Sequence, residues 1–166
     1  MMSDGVEFDK SVELAGKLLS EGERTLMFFR GLPAEAWPMH IYADGAVWTT
    51  RDVLEHLVIS EQEMQRLRAQ IIEIEVGAPD GFDIDAYNLN ETGRYAALSV
   101  DELLALFADT RQNTALDAHS MSESQLARRG RHPAMGDSSI EDIFKIIYLH
   151  NTMHIRDIRK RVASSQ

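Results

Sequence analysis

The sequence predicts an all-α protein, a four-helix up-down bundle, on three observations. Four long stretches repeat apolar residues at three- and four-residue steps. Three of them open on a capping-box pattern, and no stretch alternates apolar and polar residues convincingly enough to be a strand. The loops between them let neighbouring helices run antiparallel, while their order and handedness do not follow from this pattern. The 166 residues are read as one domain, 1–166, long enough to bury a core without staples.

The first helix is predicted over Phe8 to Leu32, where Phe8, Val12, Ala15, Leu19, Gly22, Leu26 and Phe29 form one stripe and Gly31 and Pro33 close it. Pro33 to Trp48 reads as a connecting loop holding Gly45, both tryptophans and His40, a surface or packing histidine. The second helix starts at Thr49, paired with Asp52 in a capping box, with Trp48 and Val53 as its hydrophobic staple. Its stripe runs Val53, Leu57, Met64, Leu67 and Ile71, and His56 lies on the flank. From Val76 to Leu98 the pattern breaks, with Asp83 or Asp85 able to cap a short helix. Ser99 and Glu102 open the third helix, whose stripe of Leu103, Leu106, Phe107, Thr110 and Thr114 fades near His119. Met121 to Asp137 is a second loop, in which Pro133 holds His132 extended. Ser138 with Glu141 opens the last helix, Glu141 and Lys145 form an i,i+4 pair, and Arg156, Arg159, Lys160 and Arg161 complement its C-terminal dipole. Ile140, Ile147, Asn151 and Ile158 centre its inner face, with His154 inside that face and His150 at its edge.

Composition narrows the function classes. The net charge is −10, from 27 acidic against 17 basic residues, and the basic clusters are short, so no nucleic-acid partner is expected. No apolar run is long enough to span a bilayer, so no membrane partner is expected either. The opening MMSDGVEFDK lacks the apolar core of a signal peptide, which makes the cytoplasm the expected location. With no cysteine, disulfides, thiolate ligands and a cysteine nucleophile are excluded, and thiol chemistry would need a thiol from outside.

Histidines carry the remaining signal. His150 and His154 are spaced i and i+4, so both imidazoles project from one side of their helix. His56 flanks an interior stripe of another helix and supplies a third candidate ligand. Three imidazoles suit zinc, nickel or iron, and three protein ligands leave a coordination position open, as a catalytic site requires. His150-Asn-Thr-Met-His154 lacks the glutamate of HExxH, which disfavours a metalloprotease of that type. Asp157 and Glu61 are candidate acid–base partners, and Asp157 sits where it could orient an imidazole from behind. The competing reading is three core histidines satisfied by hydrogen bonds, with no ion.

Three segments together resemble a known family. ARRGRHPAMGDSSIEDIFKIIYLHNTMHIRDI resembles the C-terminal signature of the DinB-like superfamily, WTTRDVLEHLVISE its second-helix signature, and FDIDAYN its connection before the third helix. That superfamily includes bacillithiol transferases and mycothiol-dependent maleylpyruvate isomerases. The resemblance implies a four-helix bundle, commonly a homodimer, with a divalent metal on three histidines that fall at His56, His150 and His154. It also implies a small-molecule substrate and, by likeness to the thiol-dependent members, transfer of an external low-molecular-weight thiol to a small electrophile. Metal-dependent hydrolysis is the close variant, and a metal-binding or dimeric scaffold or stress-response protein without turnover the alternative of another class. Members often carry Gln where this chain has Asp157. Two long loops would line the pocket, making Asn88, Arg94 and His132 candidates for contact with substrate.

Overall fold

Capping chemistry sets where the long helices begin. The computed structural model describes residues 9–43 and 47–165, so Phe8, Gly45 and the opening octapeptide lie outside the described residues. The elements are α1 (Lys10–Arg30), a 3-10 turn (Ala34–Ala36), β1 (His40–Tyr42), β2 (Trp48–Thr49), α2 (Thr50–Ile74), α3 (Ile84–Glu91), α4 (Val100–Ser120), α5 (Glu123–Leu126), β3 (Arg129–His132), β4 (Gly136–Ser139) and α6 (Ile140–Ala163). Thr49 and Asp52 form the expected capping box on α2, as do Ser99 and Glu102 on α4. Asp83 caps α3 by accepting from the Ala86 amide at 2.9 Å.

Two expectations shift at the ends of the chain. The box on α6 is Ser139 with Asp142, one residue later than the expected Ser138 and Glu141. Ser138 is already used, paired opposite Gly130 in the β3–β4 hairpin. On α1 the buried face is Ser11, Leu14, Ala15, Leu18, Gly22, Thr25, Leu26 and Phe29, which turns Val12 and Leu19 outward. The helix touches both α4 and α6, so its buried arc is centred between them.

Strands do occur, as two short antiparallel hairpins where only loops are expected. In the first, β1 pairs with β2, His40 opposite Thr49 and Tyr42 opposite Trp48. In the second, β3 pairs with β4 from Arg129 opposite Ser139 to His132 opposite Gly136.

The four long helices form the bundle, and its core is two apolar clusters. One gathers Leu14, Leu18, Ile71, Ala115, Phe144 and Ile147. The other gathers Phe29, Leu54, Leu57, Leu103, Phe107 and Ile158. Reading residue numbers from the first cluster to the second, α1 and α6 run one way and α2 and α4 the other. Round the bundle α1 abuts α4 and α6, α2 also abuts α4 and α6, and α1 and α2 face across the diagonal. The directions are therefore up, down, down, up, and α2 and α4 are parallel neighbours. A parallel pair needs a return crossing. α2 has 25 residues and at 1.5 Å per residue is ~37 Å long, which the connection 75–98 must travel back. That return gives the long segment with α3 its length, and lays it beside α2.

Between the clusters lies a polar layer drawn from all four long helices. Arg111 on α4 donates from Nε to Glu61 Oε1 at 2.8 Å, from Nη2 to Glu61 Oε2 at 2.9 Å and from Nη1 to the Leu18 carbonyl at 3.1 Å. With its amide oxygen turned toward α4, Asn151 accepts from Arg111 Nη2 at 2.8 Å and donates to the Ile147 carbonyl at 3.0 Å. Gly22 leaves room for the arginine: a Cβ there would meet Arg111 Cγ at 2.6 Å.

Candidate metal centre

α2 and α6 are antiparallel neighbours, and this contact brings His56 against His150 and His154 although 94 residues separate His56 from His150. His150 Nε2 lies 3.1 Å from His56 Nε2 and 2.9 Å from His154 Nε2. One ligand atom from each residue lies within 4.8 Å of the other two. Nitrogens ~2.0–2.1 Å from one ion stand about 3 Å apart, so this spacing suits a common divalent cation. Burial pushes all three rings toward the neutral form that a metal needs: His56 well below the usual histidine range, His150 to about 3 and His154 to about 4. Proximity to one another lowers His56 and His150 further, while Asp157 opposes the drop at His154.

The β1–β2 hairpin closes over these rings. Trp48 packs on His56 with centroids 4.4 Å apart, and its Nε1 donates to Thr92 Oγ1 at 3.0 Å. Tyr42 Oη stands 2.7 Å from His154 Nδ1 and donates to Asp157 Oδ2 at 2.8 Å. Burial, then the hydrogen bond to Asp157, hold the Tyr42 hydroxyl far above the usual phenol range, so it keeps its proton. With that single proton given to Asp157, the tyrosine oxygen accepts from His154 Nδ1–H. The His154 Nε2 lone pair is then free and faces the other two rings, the tautomer a metal requires.

The comparisons bear on this arrangement. The sequence profile of the DinB superfamily matches residues 18–158, a span that includes all three histidines. The chain belongs to the DinB superfamily. No curated protein matches it. Among solved structures, YfiT from Bacillus subtilis, described as a probable metal-dependent hydrolase with an unusual four-helix bundle topology, aligns with a TM-score of 0.73 at 16% identity. The alignment covers 99% of this chain and 93% of that one. At that identity the likeness is one of fold.

The other candidate residues of this DinB-superfamily chain are placed differently. Glu61 needs correction as an acid–base partner: it is buried, and both its carboxylate oxygens are held by Arg111 in the polar layer. Asp157 meets the histidines through Tyr42. Tyr42 and Trp48 were hidden because their segment reads as a loop. A signal is visible in hindsight, two short β-prone runs on either side of Asp44-Gly45.

Beside the histidines, α2, the returning connection and the turn after β3 enclose a mostly apolar cleft of about 240 Å³. Ser60 lines it and stands 3.3 Å from both His56 ring nitrogens, joining the cleft to the three histidines. Asn88 and His132 also line it. Arg94 is instead ion-paired with Glu91 and with Glu63, the latter at 3.4 Å. His132 Nδ1 accepts from the backbone amides of Ala134 and Met135 at 3.1 and 3.2 Å, so Nε2 carries the ring proton. Among the described residues no helix is long and apolar enough to cross a membrane.

Proposed function

We propose that this chain is a metal-dependent enzyme holding a divalent ion on His56, His150 and His154 and acting on a small molecule seated in the adjoining cleft. The observation that carries the reading is the convergence of three neutral imidazole nitrogens from two helices. A divalent ion bound there supplies a nucleophile by lowering the pKa of a water or thiol at its open position. The chain's own residues prepare that position. Tyr42 and Asp157 hold the His154 proton on Nδ1, Trp48 covers the His56 ring, and Ser60 marks the side from which the cleft approaches.

Hydrolysis and transfer of an external thiol both use such a nucleophile. Hydrolysis is the activity for which YfiT is described as a probable metal-dependent enzyme, and transfer is what the resemblance of the three sequence segments to thiol-dependent members of the superfamily implies. Zinc, nickel and iron all suit three imidazoles. The working form is proposed as a homodimer in the cytoplasm.

The test is metal analysis of wild type and His150→Ala side by side, after purification and after loading with zinc, nickel or iron. Near-stoichiometric metal in wild type and its loss in the variant are expected. A well-folded wild type that takes up none of the three would end the proposal. Metal without consumption of ester, amide or thiol-plus-electrophile substrates would transfer the reading to a non-catalytic scaffold.

A further inference from the structure

The cleft beside the metal centre has charges that are already closed. Glu63 and Arg66, one helical turn apart on α2, form an ion pair at its wall. Arg66 is the one guanidinium or ammonium group lining the cleft among the described residues. Glu63 is also held by Arg94 from the connection, and Arg94 by Glu91. Arg131, on the hairpin next to the cleft, pairs with Asp80. His132 uses Nδ1 on two backbone amides and presents a neutral ring. A carboxylate or phosphate entering here would have to compete with Glu63 for Arg66 and with Asp80 for Arg131, beside carboxylates that repel it.

The apolar part of the lining offers aromatic and aliphatic surface on which a flat apolar group could pack. Phe82 and Tyr87 from the returning connection stand with ring centres 5.5 Å apart, tilted by 45°. Met64 and Leu67 of α2 line the same space. Ser60, Asn88 and His132 bring hydroxyl, amide and ring N–H groups, which serve an uncharged acceptor such as a carbonyl oxygen.

We propose that this cleft binds an uncharged molecule bearing a flat apolar group, an aryl ester or amide in class, and excludes anionic ligands. That such a ligand is the substrate rests on the metal reading above; that it binds does not. An anionic thiol would have to approach the metal centre from outside this cleft.

The experiment is an NMR shift titration of the full chain with two probes of one shape, 2-naphthol (neutral) and 2-naphthoate (anionic), at neutral pH. Wild type should bind 2-naphthol at least about tenfold more tightly than 2-naphthoate, with shifts at Ser60, Phe82 and His132. Phe82→Ala, at a half-exposed position in the connection, should weaken 2-naphthol binding about tenfold. Glu63→Gln frees Arg66 and should raise the affinity for 2-naphthoate several-fold relative to that for 2-naphthol. Equal or tighter binding of 2-naphthoate by wild type, no binding of either probe, or an unaltered 2-naphthol affinity in Phe82→Ala would each overturn the proposal. Metal content is measured on the same samples. A chain that binds 2-naphthol but holds no metal sinks the proposed enzyme and leaves this site standing.

Discussion

Tyr42 has one hydroxyl proton and two partners close enough to claim it, His154 Nδ1 at 2.7 Å and Asp157 Oδ2 at 2.8 Å. The carboxylate can only accept, so the proton belongs there, and the imidazole must donate. Tyr42→Phe keeps the ring and removes the relay. Metal affinity is expected to fall about 10–100-fold, read by competition with a chelator. Asp157→Asn, which keeps an acceptor and loses the charge, should fall between the two. The same burial predicts a pH effect in the metal-free protein. Folded-state values of about 3 for His150 and about 4 for His154 lie below the unfolded 6.5, so the unfolded chain binds protons that the folded chain refuses. Stability from these rings is therefore intact above about pH 6.5 and declines as pH falls toward the folded values. Melts of chelated protein from about pH 7 to about pH 5 should show a downward slope that flattens in His150→Gln; parallel slopes would refute the account. Spacing alone made His150 and His154 legible as a pair. Tyr42 was not, because an aromatic in a short hairpin has no period to betray it. Glu61 was misread since its partner Arg111 lies 50 residues away, a distance over which sequence patterns carry no pairing information.

At the scale of elements, helix starts were the most legible feature, because a capping box is a local pattern of four residues. The hairpins were the least legible. Their strands have two to four residues, too few for alternation to register, and β3–β4 is held by contacts from elsewhere in the chain. The Ala78 amide donates to the Arg131 carbonyl at 2.7 Å, and Arg128 donates to the Ile72 carbonyl. Gly130 lies flat on α2, where a Cβ would come within 2.5 Å of Ile71 Cγ1. Ile71 is fully buried and has nowhere to retreat. Gly130→Ala is expected to cost about 1–3 kcal/mol in denaturant unfolding, with shifted NMR signals from His132 and Pro133. An unchanged midpoint would show that the hairpin lifts without resistance.

Over the whole molecule, the apolar periods announced four helices but left their order open. A stripe shows that a face is buried and is silent on which neighbour buries it. The order is written in contacts such as the polar layer, where Arg111 reaches α1, α2 and α6 at once. Arg111→Met leaves Glu61 charged and unpaired between two apolar clusters and should destabilise the fold by about 3–5 kcal/mol. Adding Glu61→Leu should restore much of the loss, read by urea unfolding of both variants; a double variant no better than the single would show that the pair stabilises more than it costs in desolvation. The crossing from α2 back to α4 has a consequence in time as well as space. His56 is made 94 residues before His150, and at roughly 5–20 residues per second that interval is about 5–20 s of synthesis. Throughout it the early imidazole has no later one to share an ion with. On the proposed reading, metal acquisition waits until α6 has been made, and the ion would then lock together two helices whose histidines were synthesised far apart.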